Sequence, residues 1–382
     1  MRKFLFLLFL IYATNLPATT YYVATTGSDS NDCGSFSPCA TINHAVGLTH
    51  PGDTVVVEPG TYVQTVTVNV SGTSSAPITI ESQTHWGAVI APTSAQESKN
   101  FGFIWNNGGS YIRIKDFWMR GSPDGTANTG IKLQSSGTGS QIFRTKINHI
   151  GNACPGGGGG ILSAQNNAVI AANFIYDMGP TTPGCNLQQG IYLNDGNGQK
   201  VNNNLLVRGC CVGIQVVSGQ ARNFPSSQNV TNNTIVNFNA DVLIVCKSTT
   251  NNPNPTCDNN QLNNNITVDS PYGFLAGVET GSTWGSNNTF LNESQFNLTH
   301  RNSWNYLGFF NSIPKPSMTT WITSNPLFVN NTHNQNGNYH LQSSSPVIDK
   351  GTKLGMPNQD FDGNSRPDVA RTNPDIGAYE FH

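Results

Sequence analysis

Charge is what this chain has least of: only 10% of its 382 residues are Asp, Glu, Lys or Arg, and the 19 basic residues nearly balance the 21 acidic ones. No basic run occurs, so the electrostatic footprint that nucleic acid or an anionic membrane surface would need is missing. Glu, Lys and Arg, which normally dress helices, are scarce, whereas Gly (39) and Asn (49), both poor helix formers, make nearly a quarter of the chain. Helix-rich folds are thereby disfavoured. No apolar run is long enough to span about 30 Å of hydrocarbon. Neither a Cys-x-x-Cys pair nor a Cys/His spacing of the zinc type is present. The 36% of hydrophobic residues still suffices for a real core.

Residues 1–20 begin with Arg2 and Lys3, continue with an apolar stretch over 4–12 and end on Ala18, Thr19 and Thr20, which reads as a secretory signal. The expected location is therefore extracellular. Eight cysteines in an exported chain argue for disulfides. Cys33 with Cys39, and Cys246 with Cys257, each close a short loop. The pairing of Cys154, Cys185, Cys210 and Cys211 stays open.

From about residue 100 to 295 one pattern returns about every thirty residues: a short apolar strand, a polar turn, a second strand, an Asn-like residue, a third strand and a loop. Aligned on the first strand, the units begin at Phe103, Ile131, Ile161, Ile191, Ile214, Val242 and Phe274. A period that varies only in its loops marks a solenoid, and segments such as Gly190-Ile-Tyr-Leu-Asn lack helical periodicity. Three strands per coil predict an all-β, right-handed parallel β-helix. A second alignment puts Asp116, Thr145, Asn173, Asn204, Asn233 and Asn265 in one column. With coils about 4.8 Å apart, such side chains can hydrogen-bond up the stack as a ladder.

At the front, Tyr21-Tyr-Val-Ala-Thr-Thr-Gly-Ser-Asp-Ser-Asn is followed by Ala40-Thr-Ile-Asn-His-Ala-Val and Pro51-Gly-Asp-Thr-Val-Val-Val-Glu-Pro-Gly-Thr-Tyr. The amphipathic stretch 41–48 suits a helical cap over the open end of the solenoid. This front resembles the start of secreted right-handed parallel β-helix proteins, the superfamily of pectate lyases and of lyases such as chondroitinase B. At the far end Asn325-Pro-Leu-Phe-Val, Ser345-Pro-Val-Ile-Asp-Lys-Gly, Asp360-Phe-Asp-Gly-Asn-Ser-Arg-Pro and Asp375-Ile-Gly-Ala-Tyr-Glu-Phe resemble the choice-of-anchor domain of bacterial secreted β-helix proteins. The expected organisation is a signal (1–20), a cap with the first coils (21–100), the β-helix (101–319) and a C-terminal closing segment (320–382).

Strand side chains alternate in and out, so outward residues form columns along the solenoid. The first strands present Lys132, Leu162, Tyr192 and Gln215, and beside them Gln134, Ala164, Asn194 and Val217. At the exit of the third strands stand Arg120, His149, Asp177, Arg208, Asn237 and Asp269, a charged stripe flanked by loops 121–130, 151–160 and 178–190.

The resemblance implies a polysaccharide partner and a lyase acting by β-elimination on an acidic glycan. That chemistry needs a cation for the uronate carboxylate, a base for the C5 proton and an acid for the leaving oxygen. Arg208 or Arg120 suits the first role, Lys132 or His149 the second, and Tyr192 or His149 the third. Asp177 joins the catalytic candidates, and Gln134 and Asn194 with Arg120 are candidates for substrate binding. The competing reading is that strand-exit Arg and Asp residues simply pair with their vertical neighbours.

Relatives of these kinds hold calcium with acidic clusters, yet no Glu occurs between Glu97 and Glu279, and the Asp residues of the coils are scattered singly. Asp360, Asp362 and Asn364 alternate as in a calcium loop, which makes Ca2+ a candidate cofactor there, although an Asp/Gly/Asn turn has the same spelling. A monomer is expected. The alternative classes are a non-catalytic glycan-binding or surface protein and a purely structural spacer.

Overall fold

The computed structural model describes residues 17–97, 102–122, 129–151, 158–179, 188–217, 226–246, 256–278, 283–284, 288–291, 294–296, 311–312 and 319–382. The chain winds into a right-handed parallel β-helix with three sheets, here called faces I, II and III. Face I has ten strands, from Thr20–Val23 through Ile112–Lys115, Gln141–Phe143 and Lys200–Asn202 to Thr289–Leu291. Face II runs from Val66–Val68 through Thr129–Leu133, Gly158–Ser163, Gln188–Asn194 and Val212–Val217 to Tyr272–Val278. Face III runs from Gly60–Tyr62 through Trp118–Arg120, Lys146–Asn148, Phe174–Met178, Leu205–Gly209 and Thr234–Val236 to Ser294–Phe296. Each coil passes from face II to face I to face III.

Inside face II, Ile131, Ile161, Ile191, Ile214, Val242 and Phe274 are register partners and are all buried. The expected frame therefore holds from Ile131 onward. Below it the partner of Ile131 is Ile104, one residue after Phe103. The sheets stack so because β-branched side chains every second residue bury one side of each strand.

The corner between faces I and III explains the asparagines. Thr145 Oγ1 donates to Asn173 Oδ1 at 2.8 Å, and Asn173, Asn204 and Asn233 each pass an Nδ2–H to the next Oδ1, ending at Asn265, at 2.9 Å per step. All five side chains are fully buried. Asp116 is not the foot of this ladder: Lys115 pairs with Phe143, which puts Phe117 under Thr145 and Asp116 under Arg144.

Asp116 belongs instead to a parallel column, with Arg144, Ala172, Asn203, Asn232 and Asn264, in which every residue is left-handed, φ +52° to +65°. Asn and Asp tolerate that region best among residues with a Cβ. Asp116 is buried and bonded to His85 Nδ1 (2.8 Å) and to Arg144 Nε and Nη2 (2.8 and 2.7 Å). Burial alone would raise its carboxyl; the bonds from His85 and Arg144 outweigh that and hold it below the usual range.

The front is capped as expected. Helix Ile42–Gly47 is N-capped by Thr41 Oγ1, which accepts from His44 N at 3.2 Å, and buries Ile42, Ala45 and Val46. Disulfides Cys33–Cys39 and Cys246–Cys257 are both formed. Cys154 and Cys185 lie outside the described residues.

Residues 319–382 lie along the flank of the coils, on the outer surface of face III. Phe328, Tyr339, Leu341, Val347, Ile376 and Tyr379 pack on Phe174, Tyr176, Leu205, Val207, Val236 and Ile266. Burying each such side chain stabilises by roughly 1.5–3 kcal/mol. The left-handed asparagines supply the polar half: Asn203 Nδ2 donates to Gln359 O, Asn232 Nδ2 to Asp375 O (3.1 Å) and Asn264 Nδ2 to Thr352 O (2.7 Å). In Asn203-Asn204, Asn232-Asn233 and Asn264-Asn265 the first residue thus docks the C-terminal segment and the second builds the ladder.

That segment is centred on Arg366, which is fully buried beside Glu380 at 3.3 Å and donates from Nη1 to the carbonyls of Asp375 and Gly377. Burial, opposed by Arg366 and reinforced by Asp375, pushes Glu380 up to about 7. An acid whose pKa is raised on folding stabilises while protonated. This contribution is full below the ordinary glutamate value and is lost as pH rises through about 7, on the order of 3 kcal/mol. Glu380→Gln is therefore expected to raise the melting temperature at pH 8 and leave it nearly unchanged at pH 5. An equal change at both pH values would contradict the assignment.

Candidate functional site

Two groups of predicted residues lie on different faces. On face II the outward column is as expected: Lys132, Leu162, Tyr192 and Gln215 are successive register partners. Lys132 is half-buried, with Trp105 on the rung before it, and burial pushes its ammonium below the ordinary lysine value. Two rungs on, about 9.6 Å along the stack, burial, aided by Asp195, pushes the Tyr192 phenol up to about 12. One group of the column is thus eased toward losing its proton while the other keeps its own at neutral pH.

Gln134 and Asn194 follow on the neighbouring outward column. Asn194 pairs with Val217, and its Oδ1 is buried with no hydrogen-bond partner among the described residues. Farther up, Leu243, Val245 and Leu275 are buried in a cluster that Tyr192 borders.

On the other side, His149, Asp177, Arg208, Asn237 and Asp269 form the exit column of face III, all left-handed at φ +55° to +61°. Arg120 is not in it. It pairs with Asn148 and through it with Tyr176, one residue earlier. Arg208 Nε bonds Asp177 Oδ1 on the adjacent rung. Asp269 Oδ2 is held by His333 Nε2 (2.6 Å) and Asn331 Nδ2 (2.9 Å) of the C-terminal segment. The pairing of vertical neighbours thus accounts for Asp177 and for the Nε of Arg208. With Arg208 41% exposed, the pair is worth about 1 kcal/mol or less. Arg208→Ala is expected to leave the melting temperature within a few degrees and any glycan-directed activity intact; an inactive but folded variant would restore its catalytic role.

His149 and Arg120 border a recess of about 470 Å3 on face III, between Pro92 at the front and Gln335 of the C-terminal segment. Its other strand residues are outward side chains of the third strands, which the spacing of face II does not reveal. Trp118, Lys146 and Phe174 are outward register partners, as are Arg120, Asn148 and Tyr176. The signal was present in Trp118-Met-Arg120, Lys146-Ile-Asn148 and Phe174-Ile-Tyr176, each polar or aromatic outside and apolar inside.

The calcium reading fares poorly on its donors. Asp360 is buried and accepts from Asn364 N (2.8 Å) and Glu380 N (3.0 Å), while Asp362 meets His340 Nε2 at 2.7 Å. Asp360, Asp362 and Asn364 therefore form a turn whose oxygens do not converge on an ion. Among the described residues the one tight group of His, Cys, Asp or Glu side chains is Cys33, Cys39 and His44, whose sulfurs are spent in a disulfide. Asp116, Asp177 and Asp269 are committed to basic side chains, and the buried Asp241 to Ser270.

The three stacked sheets define the fold as a right-handed parallel β-helix. Residues 21–204 match the family model described as "Pel9A-like, right handed beta helix region". Pectate lyase L of Dickeya dadantii (strain 3937) is 32% identical over 94 residues, 22% of each chain. The uncharacterized protein YwoF of Bacillus subtilis (strain 168) is 35% identical over 78 residues, 20% of this chain and 17% of YwoF. The chain thus spans about a fifth of these relatives. The crystal structure of alginate lyase from Paenibacillus sp. str. FPU-7 superposes with a TM-score of 0.50 at 20% identity, covering 73% of this chain and 87% of that one. At that identity the likeness is one of fold.

Proposed function

We propose that the protein is an extracellular polysaccharide lyase that cleaves an acidic glycan by β-elimination on face II. The observation that carries the reading is the Lys132/Tyr192 column, where burial loosens the ammonium proton and holds the phenol proton. The unprotonated Lys132 amine takes the proton from C5 of a uronate. The C5–H electron pair becomes the C4–C5 double bond, the C4–O4 bond breaks, and Tyr192 gives its proton to the departing oxygen. The amides of Gln134 and Asn194 supply hydrogen bonds to the sugar. No step is routed through a metal ion. The partial likeness to pectate lyase L supports this substrate class. The two disulfides and the start of the chain support export.

The test is to offer pectate, alginate and glycosaminoglycans to the purified chain and follow ultraviolet absorbance of the unsaturated uronate. Rising absorbance with at least one of them is expected. Failure with all of them would overturn the reading, and retention of a glycan on an affinity gel without shortening would move the protein to the glycan-binding class.

A further inference from the structure

The recess on face III has a chemistry of its own, independent of the Lys132 column. Five cations of the described chain lie against acidic side chains: Lys115 on Glu81, Arg144 on Asp116, Arg208 on Asp177, Arg366 on Glu380 and Arg371 on Asp349. Arg120 and Lys146, on adjacent rungs, have no such partner among the described residues and are held by rings instead. Lys146 Nζ lies 4.3 Å from the centroid of Trp118, 5.2 Å from Trp86 and 5.6 Å from Tyr176. The Arg120 guanidinium lies 5.3 Å from Trp118. Ring faces hold a cation in place without cancelling its charge, which leaves it available to an incoming anion.

The neutral groups are donors too. An indole N–H can only donate, so the 2.7 Å bond from Trp118 Nε1 fixes Asn148 with its Oδ1 toward Trp118 and its Nδ2–H toward His149 Nδ1. The His149 Nδ1 then accepts from Asn148, which leaves Nε2 as the ring's donor. Burial, with Asp177 adding to it, pushes the Tyr176 phenol up to about 12, so it stays an O–H donor. The Arg120 cation, an imidazole N–H and a phenol therefore line a space of about 470 Å3, within the range of small-ligand sites, and Lys146 sits against the Trp118 ring of that lining. Ring surface and donors without a paired acceptor suit a sugar that carries an acid group.

We propose that this recess is a second, non-catalytic subsite that binds a carboxylate-bearing (uronate) sugar of an acidic polysaccharide. It holds the glycan on face III, and Gly121 and Ser122 in its lining are where the chain leaves toward face II.

The experiment is calorimetric titration of the full chain, in the Lys132→Ala background so that nothing is consumed, with uronate oligosaccharides, their methyl esters and sulfated neutral oligosaccharides. Binding of the acidic form is expected, at least tenfold weaker for the esters and for Arg120→Ala, and weaker still for Arg120→Ala combined with Lys146→Met. Preference for the sulfated sugars would overturn the uronate assignment, and equal binding of esters or by Arg120→Ala would overturn the site. Because the titration needs no turnover, it stands or falls apart from the lyase reading.

Discussion

Replacing Asn204 with alanine is expected to destabilise the solenoid by about 4 kcal/mol. Asn204 is fully buried and accepts from Asn173 N and Nδ2 at 3.0 and 2.9 Å while donating to Asn233 Oδ1 and Ile170 O, both at 2.9 Å. Alanine leaves the Asn173 N–H buried without a partner, at about 1–3 kcal/mol, takes one donor each from Ile170 O and Asn233 Oδ1, and opens a cavity besides. Asn204→Asp is no rescue, since it keeps the acceptor, loses both donors and buries a charge. Lys200→Ala, at an exposed position on the face I strand of the same coil, is expected to change stability by less than about 0.5 kcal/mol. Urea denaturation of the three variants makes the comparison. Equal loss for Asn204 and Lys200 would mean that the ladder contributes nothing.

Replacing Lys132 with alanine is expected to slow elimination by about 10³-fold, the usual scale for a positioned general base. Lys132→Arg should be as slow, because a guanidinium keeps its proton at every accessible pH. For the parent protein the sign of the pH dependence follows from the base role. The amine must be unprotonated, so the rate rises with pH and levels off once Lys132 has lost its proton. Burial lowers that point below the value of a free lysine, so the rise should come at a less alkaline pH than for an exposed amine. A rate that falls as pH rises, or that survives Lys132→Arg, would remove Lys132 from the reaction.

The periodic part of the fold was legible because strands signal themselves twice, by alternation and by recurrence. From Ile131 onward the inward and outward columns of face II fall where the spacing places them, and the Asn173 to Asn265 ladder does too. Single-residue slips occurred at Phe103, Asp116 and Arg120. At Asp116 the corner carries a polar residue before an aromatic, and at Phe103 two apolar residues, Phe103 and Ile104, compete for one inward place, and the letters do not say which one takes it. The same ambiguity hid the docking of the C-terminal segment, since Asn203 and Asn204 are the same residue type with opposite directions. The stripe of charge was visible, but its meaning was not: Asp177 and Arg208 neutralise each other, whereas Lys146 is bound to rings contributed by other coils and Arg120 to Trp118 of its own strand. Trp86 reaches Lys146 from sixty residues away, a distance only the winding of the coils removes.

The most direct test of the proposed chemistry is the mass of the products formed from an acidic polysaccharide in water labelled with heavy oxygen. Elimination adds no water, so both new chain ends should be free of label and one should carry a C4–C5 double bond. Label in the products, with saturated ends, would show hydrolysis instead and would contradict the roles given to Lys132 and Tyr192.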